Sequence, residues 1–382
     1  MKYVDEFRDS QAARKLVDDI RRTATRQWVL MEVCGGQTHS LLRHGIEEEL
    51  RETIELIHGP GCPVCVTPAE DIDFAQHLAS REEVLLASFG DMLRVPGSRE
   101  SLLDVRARGG NIRIVYSPLD AVTLAQRHPD RQVVFFAVGF ETTAPATALA
   151  VRQAERLGLD NFSLLVSHVR VQPAMEAIML APGNCVEGFL AAGHVCTITG
   201  YDSYEDFVQQ FGVPVAVTGF EPIDLLEGIR DCVRQLESGQ AAVTNCYTRS
   251  VRRHGNEHAL AAVDSVYEIA DVPWRGFGVI PSGGLRLQSA FERFDARQRF
   301  DDAPPADDLP ILPDTECPAA DVLAGLMRPT DCPQFGSRCT PDSPLGAPMV
   351  SSEGACAAYF RYRPLAAVND SDPSASSRTG AS

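Results

Sequence analysis

The residues of this sequence best equipped for chemistry are its cysteines, which fall into three groups. The first is Cys317, Cys332, Cys339 and Cys356, separated by 14, 6 and 16 residues in a stretch without regular apolar patterning. Four thiolates satisfy either a tetrahedral zinc ion or an iron–sulfur cluster. Zinc sites usually show close CxxC pairs, whereas wide spacings suit a cluster whose corners stand further apart; a cluster is therefore favoured over zinc, with unrelated thiols as the third reading. The second group is Cys62-Pro63-Val64-Cys65, set between a strand-like run and the helical pattern PAEDIDFAQHLA. At a helix N-terminus the macrodipole favours thiolate, so a dithiol/disulfide couple is natural there. Half of a metal site is the competing reading, but nothing nearby supplies two further ligands at suitable spacing. The third is Cys34, in Cys34-Gly35-Gly36-Gln37-Thr38-His39. Two glycines leave the backbone bare beside this thiol, so a metal or bulky ligand can approach it and His39 can share that ligand. A buried core cysteine before a flexible turn is the alternative. Cys185, Cys196, Cys232 and Cys246 lie in apolar or helical patterns and read as packing residues.

Other stretches carry less. Glu141-Thr142-Thr143 offers a carboxylate and two hydroxyls at a strand end, where a helix cap and a site can coexist. His168 and His194, each alone beside a strand, read as structural and are left out of the site.

Elements with a βαβ rhythm must position these residues. Strands are expected at 28–33 (WVLMEV), 52–57 (ETIELI), 84–89 (VLLASF), 111–116 (NIRIVY), 132–138 (QVVFFAV), 162–167 (FSLLVS), 195–199 (VCTIT) and 214–218 (PVAVT), most of them separated by amphipathic stretches. Strand, Gly-Phe-Glu, proline and helix occur twice, at Gly139-Phe140-Glu141 and at Gly219-Phe220-Glu221, which is either coincidence or a duplicated unit. Both glutamates stand where open α/β sheets place ligands. After about residue 275 the chain turns glycine- and proline-rich, with an acidic connector near 301–315 and a low-complexity end.

Composition narrows the classes. The chain has 382 residues, 44% apolar and 23% charged, which is ordinary for a globular protein of two or three domains. Its net charge of 35 − 52 = −17 argues against nucleic-acid and anionic-membrane partners. Lysine occurs only at Lys2 and Lys15, neither after a glycine-rich turn, so there is no P-loop. No apolar run reaches the ~18 residues of a membrane span, and the first residues do not resemble a signal peptide. A cytoplasmic location is expected, in which 11 cysteines point to metal ligands and redox thiols rather than structural disulfides.

Four long motifs in order, CGGQTH at 34–39, GPGCPVC at 59–65, GFETTAP at 139–145 and PLGAPMVSSEGACAAYF at 344–360, make the sequence similar to the HypD family of hydrogenase maturation proteins over nearly its whole length. The resemblance implies a scaffold on which the Fe(CN)2CO unit of NiFe-hydrogenase is assembled, in complex with the small chaperone HypC and with cyanide delivered by HypE. It implies Cys34 as the iron-binding cysteine, sharing the iron with the N-terminal cysteine of HypC, and His39 beside that iron. It further implies Cys62 and Cys65 as the redox pair and Cys317, Cys332, Cys339 and Cys356 as ligands of a 4Fe-4S cluster. The resemblance also implies a role for Glu353, in SSEGAC, in positioning the cluster or the relay. One departure is visible: where many relatives carry a further cysteine after the first cluster ligand, this chain has Ala319.

The implied fold is two similar parallel-sheet α/β domains plus a small C-terminal cluster domain. We expect these over 1–140 (with Cys34, Cys62 and Cys65), 141–270 and 271–364, with a disordered tail over 365–382. A cluster moves single electrons and a dithiol moves two, so a cluster charging Cys62 and Cys65 would drive two-electron release of cyanide while thiolate Cys34 holds iron as a soft donor. Such a protein is a redox-active assembly scaffold rather than a turnover enzyme. The alternative is a stand-alone 4Fe-4S thiol-disulfide oxidoreductase resembling ferredoxin-thioredoxin reductase, which has no use for the third thiol, Cys34. A nucleotide-dependent enzyme is weaker, since both P-loop and GxGxxG are missing.

Overall fold

A computed structural model describes residues 5–301 and 317–363. The expected tail over 365–382, and nearly all of the acidic connector, lie outside the described residues. Eleven strands are described: β1 (Trp28–Glu32), β2 (Ile54–His58), β3 (Val84–Ser88), β4 (Ile112–Ile114), β5 (Gln132–Gly139), β6 (Phe162–His168), β7 (Gly188–Ala192), β8 (Val215–Thr218), β9 (Val243–Asn245), β10 (Tyr267–Trp274) and β11 (Gly278–Leu287). They form a five-stranded sheet in the order β2-β1-β7-β8-β9, a four-stranded sheet in the order β4-β3-β5-β6, and the hairpin β10-β11. Every pair in the two larger sheets is parallel, and the hairpin is antiparallel. Parallel strands are buried on both faces, which is why runs such as Val133–Val138 are apolar without alternation.

The pleat sends successive side chains to opposite cores. Val134, Phe136 and Val138 share a central core with Met31, Phe189, Ala191, Val215 and Val217 of the other sheet. Their neighbours Val133, Phe135 and Ala137 pack against the helices Pro118–Arg127 and Ala144–Arg156. Leu30, Leu190 and Ala216 pack against the helices Ser10–Thr23 and Pro222–Glu237. The C-terminal segment adds the short helices Ala319–Leu323, Ala347–Val350 and Ala355–Tyr362, the last packed through Ala358 and Tyr359 on Leu42.

Two expectations need correction. VCTIT is helical, within Gly193–Thr199, and the strand is the preceding GFLAA. Four β-branched residues imitate a strand there, yet Gly188 fits the sheet interior because a Cβ at that position would stand 2.9 Å from Leu30 Cδ2. The division at 140–141 also misses the sheet boundary, since β5 and β6 pair across it. The five-stranded sheet takes strands from both sides of the four-stranded one, which lies wholly between β2 and β7 in sequence. Period and composition give strands but not which strand returns to which sheet.

Candidate functional site

Glu32 of β1 lies opposite His58 of β2, so the two cysteine motifs leave the sheet side by side at its carboxyl edge. Gly59 N–H donates to Glu32 O at 2.8 Å and Gly35 N–H to Gly61 O at 3.1 Å, stitching the departing loops together. Glycine is required at the closest approaches: a Cβ on Gly61 would overlap the Cys34 backbone, and one on Gly35 would overlap Glu353.

Cys34, only 3% exposed, precedes the helix Gly35–Arg43. Its N–H donates to Glu32 Oε2 at 2.7 Å, and its Sγ stands 3.5 Å from His194 Nδ1. Burial, then the charge of Glu32, pushes the thiol pKa far up, with Glu353 adding to the effect. Burial holds His194 down, so the resting pair is a neutral thiol beside a neutral imidazole. Phe220, from the second Gly-Phe-Glu, covers the ring of His194 at 5.4 Å between centroids. His39 is engaged elsewhere: its Nε2 lies 2.9 Å from Tyr362 Oη, and the two rings meet edge-on.

Behind Cys34 runs a buried polar chain. Glu32 accepts from Thr38 Oγ1 and lies 2.7 Å from His58 Nδ1. On its other side His58 Nε2 lies 3.2 Å from Tyr359 Oη and 3.4 Å from Glu47 Oε2. Glu47 also accepts from Tyr359 Oη at 2.8 Å and from Arg363 at 2.7 Å. Burial disfavours an imidazolium at His58, but the two carboxylates outweigh it and raise the pKa to about 9. The chain thus ties the Cys34 strand to the C-terminal helix that carries Cys356.

Cys62 and Cys65 form a disulfide with their Cα atoms 5.2 Å apart, both side chains buried. The macrodipole argument weakens here, because Pro63–Val66 is a separate four-residue helix rather than the start of Ala69–Ala79. Cys65 Sγ lies 3.8 Å from the carbonyl of Ala347.

The four C-terminal cysteines lie within one another's electrostatic reach. Burial, then Cys339, pushes the Cys317 thiol up to about 11, with Cys332 adding; burial and then Cys317, Cys339 and Cys332 push Cys356 well up. Thiolates are unfavourable in such a group unless a cation compensates, as metal coordination does. The donor set therefore fits a cluster or zinc, although among the described residues no three His, Cys, Asp or Glu side chains are already gathered around one point. Gly346 presses its bare Cα against Cys317 Sγ, and Leu345 N–H donates to Cys339 Sγ at 3.4 Å. Glu353 keeps an exposed face, yet the protein packed around its carboxyl raises its pKa, and Asp91 raises it further.

Sequence reading missed Glu32, His58 and Glu47, and set His194 aside as structural. A carboxylate and a histidine closing the apolar strands WVLME and IELIH were the available signal. His194 follows its strand rather than preceding one and lies in the helix Gly193–Thr199, which brings it to Cys34. Of the four cysteines read as packing residues, Cys196 and Cys232 are buried and Cys246 is partly so, but Cys185 is exposed. Glu141 accepts from Val171 N–H at 3.0 Å and leaves Oε2 buried and unpartnered, while Thr143 makes no side-chain cap.

Parallel sheets whose strand ends bear a buried thiol and a disulfide, with a four-thiol group against them, define an α/β protein whose candidate site is lined with sulfur. A family model described as "HypD: Hydrogenase formation hypA family" matches residues 11–363. The chain is 49% identical over 371 residues to hydrogenase maturation factor HypD of Azotobacter vinelandii, covering 95% of this chain and 97% of that protein. It is 45% identical over 370 residues to the Rhodobacter capsulatus factor of that name and 43% over 371 residues to that of Escherichia coli K12, covering 95% of this chain and 98% of each relative. The chain belongs to the HypD family.

Proposed function

We propose that this protein acts in hydrogenase maturation as a redox-active scaffold that holds iron at Cys34 while the Fe(CN)2CO unit is assembled. A HypC-type chaperone supplies the second thiol ligand and a HypE-type protein delivers cyanide. Cys317, Cys332, Cys339 and Cys356 hold a 4Fe-4S cluster, which supplies single electrons when bound. Cys62 and Cys65 take up two electrons and two protons in passing from disulfide to dithiol, and so match one-electron supply to two-electron release of cyanide.

The observation that carries this reading is the segment Gly346–Ala347, which lies against Cys317 Sγ through Gly346 and against Cys65 Sγ, at 3.8 Å, through the Ala347 carbonyl. Two adjacent residues thus bridge the four-cysteine group and the disulfide. At Cys34 the thiol must lose its proton to become a ligand, and His194 Nδ1 at 3.5 Å is placed to receive it. A thiol-disulfide oxidoreductase accounts for the disulfide but not for a third buried thiol paired with its own imidazole. In Cys62→Ser, metal-bound cyanide is expected to be lost while labile sulfide stays at the wild-type level; cyanide loading at the wild-type rate overturns the relay.

A further inference from the structure

The tip of the β10-β11 hairpin reaches into the space between the disulfide helix and the four-cysteine group. Gly276, at φ +86°, turns the tip and sets its bare Cα against Ala320, three residues beyond Cys317, where a Cβ would stand 2.9 Å from Ala320 Cβ. Its neighbour Arg275 donates its backbone N–H to Val66 O, at the end of the Cys62-capped helix, at 2.8 Å. The Arg275 guanidinium donates to Pro96 O at 2.8 Å, yet its Nε is buried without a partner. The carboxylates Glu70, Asp73 and Asp71 and the sulfur of Cys317 all act on this guanidinium electrostatically. Burial disfavours the guanidinium's charge and the neighbouring carboxylates favour it, so a cation sits here in poorly solvated surroundings with one donor unpaired.

We propose that Arg275 is a positioning residue, a fixed cation held between the four-cysteine group and the disulfide helix that eases electron uptake by a cluster on those cysteines. The inference rests on the cluster reading above. Reduction of a cluster by one electron adds one negative charge and breaks no bond, and a fixed positive charge in poorly solvated surroundings stabilises the product more than the reactant. The hydrogen bonds from the hairpin keep that charge from moving away.

The test is a redox titration of the full-length protein with dithionite and mediators, followed by electron paramagnetic resonance, with iron and labile sulfide measured on the same samples. Arg275→Gln is expected to move the cluster midpoint to more negative potential at unchanged sulfide content, and Arg275→Lys to stay near wild type. A wild-type midpoint in Arg275→Gln with full sulfide overturns the inference and leaves the cluster reading standing. Wild-type protein without labile sulfide, after anaerobic preparation, overturns both. Should Arg275→Gln lose its cluster, Arg275→Lys decides: a cluster at the wild-type midpoint is expected, and a lost cluster or a shifted midpoint despite the retained charge overturns the inference.

Discussion

At the scale of single residues, charge placement controls the thiols. Cys34 is buried beside Glu32, an arrangement that resists thiolate formation until a cation arrives to compensate it. The carboxylate is held in turn by His58, whose pKa is raised to about 9 although burial opposes it. Because the folded-state value lies above the ordinary histidine value of about 6.5, His58 contributes its full stability below about pH 6.5 and loses it as pH rises through about 9. His58→Gln is expected to cost about 3 kcal/mol at pH 6, since it leaves Glu32 and Glu47 without their shared cation. Urea midpoints should show the gap to wild type narrowing between pH 7 and pH 10, and a constant gap contradicts the assignment. None of this was legible from motif spacing. The sequence shows a Glu and a His at two strand ends, and only the register of β1 on β2 makes them partners.

Elements were legible where hydrophobic pattern and chain punctuation agree. WVLME, VLLAS and VVFFAV are strands as expected, bounded by glycine, proline or polar residues. VCTIT misled because β-branched residues also occupy short buried helices: here Gly193, Val195 and Cys196 face the core, and Gly200 at φ +81° ends the helix. The three cysteine groups were found from residue type alone, whereas their convergence required the loops to meet. That meeting depends on Gly61, and Gly61→Ala is expected to cost about 3 kcal/mol in urea unfolding, because a Cβ has no room beside the Cys34 backbone. The C-terminal helix is pinned by Leu42 against Ala358 and Tyr359. Leu42→Ala is expected to lower stability by about 2–5 kcal/mol and to speed proteolysis after Arg361 or Arg363, and unchanged cleavage contradicts this packing.

At the scale of the whole molecule, the two sheets are not independent halves. The central core draws Val134 and Phe136 from one and Phe189 and Val217 from the other, and the chain enters the five-stranded sheet, leaves it and returns. Such interleaving predicts one cooperative calorimetric transition for residues of both sheets, and two resolved transitions contradict it. The same interleaving brings Cys34, the Cys62–Cys65 disulfide and the Gly346–Ala347 bridge to the carboxyl edge of β1 and β2. The proposed role of Cys34, holding iron that carries cyanide and CO, stands or falls on an infrared spectrum of protein purified anaerobically after co-expression with a HypC-type chaperone. Metal-bound cyanide and CO stretches that disappear in Cys34→Ala are expected; bands that survive that substitution, or wild-type protein with iron and labile sulfide but no bands, contradict that role.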